Sequence, residues 1–305
     1  TIDTAPPRGP AARSLLTPAH ESTPTMPTLS DVVIIGGGVI GSAIAYNLQR
    51  SGAKVTVLER DRIAAGASGV GAGILSIIEG RNQRHHALFA LGRASLKLMS
   101  DTTQALREET GYDPEYVPVG LLRVAFTEEE ERDLRDLQTL AQLEGMEVDW
   151  LNQEDLLMTE PALSSEIRGA LYSVGDRVTG VSLSDGTHLS ADHVVIAAGP
   201  WSGQLTADMG VTIPVRPVRG QLVHLYTVPR LLRLTVMHGI GYVTPKVDGT
   251  VVVGATQEEA GFDRRNTADG VGNLLNIAPR LVPMLATAEL AEVKVGLRPG
   301  SPDDM

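Results

Sequence analysis

The chain has 305 residues and carries 26 lysines and arginines against 37 aspartates and glutamates, a formal net charge of −11 at pH 7. This acidic balance argues against nucleic acid or an anionic membrane surface as the main partner, and no apolar run reaches the roughly 18 residues of a membrane span. The absence of cysteine excludes disulfides, cysteine-ligated zinc, thiol catalysis and attachment of a flavin through a cysteine.

These features are typical of a reducing compartment, and they predict a cytoplasmic protein of about two domains. Residues 1–25 are rich in proline, serine and threonine and lack a long apolar region, so they do not resemble a secretory signal. We expect them to form a disordered leader, with Met26 as a plausible start shortly before the first predicted strand.

Hydrophobic periodicity and turn signals predict the remaining elements. In chain order these are strand 32–36, helix 39–51, strand 54–59, a small-residue loop at 63–80, helix 85–110, strand 117–126, helix 128–144, short helix 153–158, strand 168–173, a tight turn at Asp185-Gly186, a buried parallel strand 193–198, strands 211–226, 240–247 and 250–256, helix 268–286 and strand 290–297.

Strands and helices alternate near both ends of the chain, whereas the middle is rich in predicted strands. This order predicts an α/β fold in which a Rossmann-like nucleotide-binding domain contains an inserted, β-rich (α+β) substrate domain. We assign residues 26–115, 160–210 and 290–305 to the first, discontinuous domain, and residues 116–159 and 211–289 to the second.

The first glycine-rich segment joins the first predicted strand to the first helix. Gly36, Gly38 and Gly41 form a G-x-G-x-x-G pattern, and Glu59 ends the second strand. The first glycine permits a sharp turn, the second permits close approach of a pyrophosphate, and the third permits close packing of helix on strand. The helix N-terminus offers N–H groups and a positive dipole end to the phosphates, while the carboxylate of Glu59 is suited to accept hydrogen bonds from a ribose.

A second run of small residues, GASGVGAGIL, follows within a few residues of Glu59. Such a loop lets the backbone lie against a large flat ligand, and Ser68 within it is suited to bond a phosphate; the alternative is a flexible surface loop. A third segment, VVIAAGPWS, is a buried strand that breaks at Gly199. An extended dinucleotide along the sheet edge accounts for all three segments, whereas a nicotinamide enzyme does not need the second loop.

At this point the chain resembles the FAD-dependent amino-acid oxidases of the D-amino-acid oxidase superfamily, and within it the glycine oxidases of thiamine biosynthesis. The resemblance covers most of residues 30–305. It rests on the order and spacing of VVIIGGGVIGSAIAYNLQRSG, VLERDRIAAGASGVGAGIL, PALSSEIRGALY, ADHVVIAAGPWSG, PVRPVRGQLVHL, GYVTPKVDGTVVVGAT and VGLRPGSPDD.

The resemblance implies non-covalent FAD as the cofactor and assigns residues to it by position. It assigns to the adenosine diphosphate end of FAD the residues Gly36, Gly38, Gly41, Glu59 and Arg60. It also implies that the backbone at Gly199 passes beneath the adenine half. The pyrophosphate and the flavin ring fall to Ala67, Ser68, Ala72, Gly73, Ile74 and Leu75.

The resemblance also implies two substrate-binding residues. Arg298 in GLRPG matches the arginine that holds the substrate carboxylate, for which a guanidinium offers two parallel N–H groups. Tyr242 in GYVTP matches an aromatic residue lining the same site. The alternatives are a strand-end arginine in a surface ion pair and a tyrosine packed for burial. His238 lies nearby, and we expect it to be structural.

The implied reaction is oxidative deamination of glycine or another small primary or secondary amino acid, with hydride passing from Cα to flavin N5 and O2 giving H2O2. No protein residue is assigned as a catalytic acid or base, and none as a metal ligand. Three other functions stay open: a sarcosine oxidase, a D-amino-acid dehydrogenase, and an inactive remnant that binds a nucleotide. The identity of the amine and the formation of a homo-oligomer also stay open.

The chain departs from the family pattern in two places. After Asp176 the chain continues at once with Arg177 and Val178, where the family has a QVDP-type segment, a helix and a further strand. The family pattern also has a final segment after GLRPG, close to which this sequence ends. We therefore expect an internal segment and a C-terminal segment of the family to be missing.

Overall fold

The computed structural model describes residues 30–77, 86–173, 176–177, 191–207, 209–227 and 229–302. The expected leader at 1–25 and the turn predicted at Asp185-Gly186 lie outside these residues. The mixed α/β class is confirmed, with a three-stranded sheet, an eight-stranded sheet and a two-stranded pair. None of the helices in the described residues is both long and apolar enough to cross a membrane.

The three-stranded sheet is parallel and carries the first glycine-rich segment. Its strands are β1 (Ser30–Ile35), β2 (Val55–Leu58) and β8 (Ala191–Ile196), in the order β2-β1-β8, and helix α1 (Val39–Arg50) connects β1 to β2. Val33 and Ile34 of the central strand are buried, as expected for an apolar run covered on both faces. The sequence predicted each of these elements to within two residues.

The second loop contains the one-turn helix α2 (Ala67–Val70) and the short strand β3 (Ile74–Leu75), which pairs antiparallel with β7 (Asp176–Arg177). The eight-stranded sheet has the order β13-β9-β12-β11-β10-β4-β6-β5. Its strands are β4 (Leu121–Ala125), β5 (Val148–Asn152), β6 (Gly169–Ser173), β9 (Arg216–Tyr226), β10 (Thr235–His238), β11 (Gly241–Pro245), β12 (Thr250–Gly254) and β13 (Glu289–Gly300).

Helices cover this sheet and bury the largest apolar cluster in the described residues, which includes Leu122, Val223, Val243 and Leu274. The remaining helices are α3 (His86–Thr110), α4 (Glu128–Leu143), α5 (Gln153–Thr159), α6 (Ser202–Ala207) and α7 (Ala268–Leu281). Helix α4 begins with a capping box in which Thr127 accepts from the N–H of Glu130, and the Glu130 carboxylate accepts from the N–H of Thr127. This reciprocal pairing explains why the acidic run starts a helix.

Several findings differ from the sequence predictions. Strands β5 and β10 were not predicted, nor were the short elements α2, β3, β7 and α6. Strand β4 begins at Leu121 and not at 117. Strand β9 begins at Arg216 and not at 211. Helix α7 ends at Leu281, because Val282 precedes Pro283 and takes an extended conformation with φ −132° and ψ 95°; a 3₁₀ turn follows at Pro283–Thr287.

The structure also shows which sheet contains two of the later strands. Strands β6 and β13 lie in the eight-stranded sheet, paired with β4 and β5 and with β9 respectively. The domain division stays a prediction, in which the segments that contain these strands, 160–210 and 290–305, belong to the FAD-binding domain. Periodicity does not reveal which strand is the partner, so this pairing was not visible in the sequence.

Candidate functional site

Two of the three motif glycines are fixed by close contacts within the protein. Gly36 has φ +113° and donates its N–H to the Leu58 carbonyl at 2.8 Å, and a side chain there would collide with the Ala197 carbonyl. A side chain at Gly41 would collide with the Gly36 carbonyl. The first glycine therefore supports the turn and the third supports close helix packing, as predicted.

The second motif glycine faces open space. Gly38 caps α1 in an extended conformation without a side-chain hydrogen bond, and a Cβ there would meet only the Ser68 hydroxyl oxygen, at 3.1 Å. That hydroxyl accepts from the N–H of Val39 at 2.9 Å. An open glycine, first-turn N–H groups and a nearby hydroxyl are together what a pyrophosphate at a helix N-terminus requires, so these residues fit FAD.

Glu59 lies beside this helix start. Its carboxylate accepts from the N–H groups of Gly37 at 2.8 Å and Asp61 at 3.0 Å, and each oxygen retains a second lone pair for a hydroxyl. The neighbouring Arg60 guanidinium lies 4.7 Å from the centre of the Trp201 ring, a cation–π distance. Gly199, with φ +54°, begins the 3₁₀ turn that carries Trp201 after β8.

The second glycine-rich loop connects the two sheets. Ala67 and Ser68 lie in α2, Gly73 turns the chain with φ +70°, and Ile74 and Leu75 form β3. Buried Ala72 packs with Leu222 and Val252 of the eight-stranded sheet, and its carbonyl accepts from the Lys246 ammonium at 2.6 Å. The loop that the resemblance assigns to the flavin therefore lies directly against one face of that sheet.

Tyr242 lies on the same face, because it is the cross-strand partner of Gly254, which in turn pairs with Leu222, and cross-strand partners point to the same side. It packs against the Ala72 cluster. Burial raises the pKa of the Tyr242 hydroxyl to about 12, although the positive charge of Arg298 opposes the shift. The phenol is thus a neutral hydrogen-bond donor throughout the physiological range.

Arg298 also occupies this face, since alternate residues of β13 share one side and Lys294, four residues earlier, pairs with Leu222. Its guanidinium is half-buried and donates one hydrogen bond to the Thr256 carbonyl at 3.0 Å. A guanidinium carries five N–H donors, so a single bond to the backbone leaves donors for a carboxylate. The structure therefore places Arg298 and Tyr242 within each other's electrostatic range.

Thr256, whose carbonyl accepts from Arg298, is itself fixed by hydrogen bonds to Gln221. It exchanges two bonds with Gln221: its hydroxyl accepts from the Gln221 N–H at 2.9 Å and its N–H donates to the Gln221 carbonyl at 3.3 Å. Fully buried Gln221 donates its amide to Glu258 at 2.7 Å, and Glu258 pairs with buried Arg219. Sequence reasoning missed this network, because no spacing rule predicts partners 35 or more residues apart.

The His238 side chain points to the opposite face of the sheet from Tyr242, because its cross-strand partner is Gly241. Its Nε2 lies 2.8 Å from the Glu130 carboxylate, and its ring contacts Phe126 edge-on at 4.9 Å. Burial raises the pKa of Glu130, but hydrogen bonds from the Phe126 N–H, His238 and the Thr127 N–H outweigh that effect and lower it. His238 therefore fastens β10 to the start of α4.

The sheet face that carries Tyr242 continues into a cavity of about 550 Å³. Its lining includes His224, Lys246, Asp248 and Lys294. Burial, followed by the charge of Lys294, lowers the pKa of His224, and its Nε2 is buried without a hydrogen-bond partner. No group of three or more His, Asp or Glu side chains in the described part of the chain is arranged to hold a metal ion.

Comparisons with known proteins agree with this geometry. A sequence model of the DAO family, described as FAD dependent oxidoreductase, matches residues 31–176 and 173–305. The two matched stretches overlap at 173–176, beside the position where the sequence departs from the family pattern.

Individual relatives are similar over most of their length. Glycine oxidase of Geobacillus kaustophilus is 34% identical over 312 residues, covering 90% of this chain and 82% of that protein. Glycine oxidase of Pseudomonas putida is 31% identical over 305 residues, covering 89% and 83%. The crystal structure of the Geobacillus kaustophilus glycine oxidase matches with a TM-score of 0.85 at 32% identity, covering 91% of this chain and 84% of that chain.

Proposed function

Because the chain belongs to the DAO family of FAD-dependent oxidoreductases, we propose that it oxidises glycine or another small primary or secondary amino acid. The observation that carries the proposal is the meeting of Tyr242 and Arg298 on the sheet face against which the second glycine-rich loop packs.

The residues around α1 would hold the phosphate half of the cofactor. Gly38 leaves room for the pyrophosphate, the first-turn N–H groups and Ser68 would bond it, and Glu59 would accept from the ribose. The loop from Ala72 to Leu75 would border the flavin. When bound, FAD would supply the acceptor for hydride from Cα, with O2 as the final electron acceptor and H2O2 as its product.

The protein's own contribution is to bind and orient the substrate. Arg298 donates two parallel N–H groups to the substrate carboxylate, and the neutral Tyr242 hydroxyl donates a further hydrogen bond. Fixing the carboxylate fixes Cα and its hydrogen relative to the loop at Ala72, which is catalysis by orientation. No protein base is required, since the amine enters the reaction neutral and its imine product hydrolyses in water.

Replacement of Arg298 by lysine tests the role of the guanidinium. A point charge does not reproduce two parallel bonds, and the loss of one charge-assisted hydrogen bond, about 1.5–3 kcal/mol, lowers kcat/KM roughly ten- to hundred-fold. The loss is expected for glycine and not for an amine without a carboxylate, as measured by oxygen consumption. An equal loss for both substrates would show that Arg298 supports the fold or the cofactor instead.

The alternative of an inactive nucleotide-binding remnant makes a different prediction. Such a protein would retain FAD through the α1 region but would not reduce it with any amino acid. Oxygen consumption with glycine by the FAD-containing protein separates the two functions.

A further inference from the structure

Two glycines lie beside the two substrate anchors on the eight-stranded sheet. Gly254 in β12 is the direct cross-strand partner of Tyr242. Gly220 in β9 is diagonal to Arg298, whose direct partner is Val218. All four positions point to the same face of the sheet, because the registers of β11, β12, β9 and β13 are continuous through them.

The head groups of both anchors occupy the space that a side chain at these glycines would need. A Cβ on Gly220 would lie 2.6 Å from Nη1 and 2.7 Å from Cζ and Nη2 of Arg298. A Cβ on Gly254 would lie 2.3 Å from Cδ2 of Leu222, and 2.5 Å from Cζ and from the hydroxyl oxygen of Tyr242. Real Cβ atoms do not approach other heavy atoms this closely.

Neither Gly220 nor Gly254 has a positive φ, so a left-handed backbone does not account for glycine at either position. Gly220 lies inside β9, where glycine lowers stability relative to residues with side chains, and Gly254 ends β12 before a cis peptide bond to Ala255. At Gly220 the free space, and not the backbone, is therefore the property that glycine supplies.

The consequence for the anchors is geometric. Gly254 pairs with Leu222, so Gly220 and Gly254 are diagonal positions on neighbouring strands, about 7–8 Å apart. The guanidinium and the phenol hydroxyl each lie over one of them. A carboxylate that accepts hydrogen bonds from both head groups therefore lies between these two positions.

We propose that Gly220 and Gly254 are positioning residues, which let Arg298 and Tyr242 lie flat on the sheet at the separation that a small carboxylate bridges. The inference rests on the proposed function, because it concerns the same carboxylate site. On this proposal, the two glycines contribute to the selectivity for a carboxylate by leaving space for the side chains that bind it.

The test is Gly220→Ala in the full chain with FAD bound, using acetate as a probe that has a carboxylate and no amine. Acetate binding is measured as a change in flavin absorbance, together with KM and kcat for glycine. We expect the acetate Kd and the glycine KM each to rise by about tenfold or more, as for loss of one charge-assisted bond, with kcat falling less and FAD content unchanged.

Two other glycines provide controls. Gly169→Ala crowds the same sheet far from the site, where a Cβ would lie 2.5 Å from Trp150 Cζ2; it should lower the melting temperature and leave the acetate Kd unchanged. Gly272→Ala has no neighbour within 4 Å and should change neither. A rise in the acetate Kd with Gly169→Ala equal to that with Gly220→Ala would overturn the proposal, since general loosening would then explain both.

A second background shows whether Gly220 acts through Arg298. With Arg298→Lys already present, Gly220→Ala should raise the acetate Kd less than twofold further, because coupled residues are not additive. If Gly220→Ala alone does not fold, adding Arg298→Ala should restore folding, since the three nearest atoms all belong to Arg298; failure to restore it would contradict the proposal. Wild-type protein that binds no acetate overturns the proposed function, whereas wild type and Gly220→Ala that bind it equally overturn this inference alone.

Discussion

The nucleotide-binding region around α1 and the eight-stranded sheet differ in how far apart their interacting residues lie in the sequence. Ser68 bonds the N–H of Val39, 29 positions away, and Glu59 bonds Gly37, 22 positions away. On the sheet, Arg298 bonds Thr256 across 42 positions, and Lys246 bonds Ala72 across 174. The nucleotide-binding region follows from a local sequence motif whose structural role is understood. The residues on the sheet come together only through the register of its strands.

The largest expected effect comes from a substitution that disrupts the nucleotide-binding region around α1 and leaves the eight-stranded sheet intact. Gly38→Val should abolish FAD binding, because the open space at Gly38 is where the pyrophosphate belongs. The protein itself should still fold, since a Cβ there meets only the Ser68 hydroxyl oxygen. The measurement is the flavin absorbance and the melting temperature of the purified variant.

Gly272→Val is the matched control, as a Cβ at Gly272 in α7 has no neighbour within 4 Å and no positive φ to strain. That variant should keep its full complement of FAD. Equal flavin content in the two variants would contradict the assignment of Gly38 to the cofactor.

The next effect concerns the sheet region alone. Buried Glu160 accepts from the N–H groups of Arg233 and Leu234 at 2.9 and 2.7 Å. Glu160→Ala leaves both N–H donors unpaired, at a cost of about 1–3 kcal/mol each. It should therefore lower the free energy of unfolding, measured by urea denaturation. The loss should be several-fold larger than that for Glu160→Gln, which keeps an acceptor.

The pKa of Glu160 predicts how the stability difference between Glu160→Gln and the wild type changes with pH. Burial raises the pKa of Glu160 above its usual value, against the lowering effect of the two backbone donors. A raised pKa means that the stability Glu160 contributes is present below the unfolded-state pKa and is lost as the pH rises through the folded-state pKa. The stability of Glu160→Gln relative to wild type should therefore improve between pH 4 and pH 7; a change in the opposite direction would show that the carboxylate form is preferred.

The smallest effect acts where the two regions meet. Lys246→Met keeps the length of the side chain but removes its hydrogen bond to the Ala72 carbonyl. We expect the free energy of unfolding to fall by about 1.5–3 kcal/mol, the contribution of a charge-assisted hydrogen bond. The FAD dissociation constant should rise by less than the factor that corresponds to this free energy. An unchanged FAD dissociation constant would show that the second loop keeps its position without the sheet.

Several features could be predicted from the sequence because their causes are local. The parallel strands, α1 and α4 follow from periodicity and capping residues, and the roles of Gly36 and Gly41 follow from their spacing. The end of α7 was predicted too late, although Pro283 marks it, because apolar spacing continues past Leu281.

Other features depend on the register and could not be predicted. Strand β10 has only four residues and no alternation, and it is held by a parallel pairing with β4, more than 100 residues away. Tyr242 and Arg298 were identified only through the family resemblance, since nothing in the spacing of two strand residues predicts that they share a face. The glycines beneath them have no positive φ to mark them, and their contacts emerge only when four strands align.

The most direct test of the central claim is anaerobic addition of glycine to the purified protein while the flavin absorbance is recorded. The account predicts flavin bands in the untreated protein, loss of the oxidised bands with glycine, no loss with methylamine, and a much slower loss in Arg298→Lys. Protein without flavin, or flavin that glycine does not reduce, would contradict the claim that the two regions together form an amino-acid oxidase site.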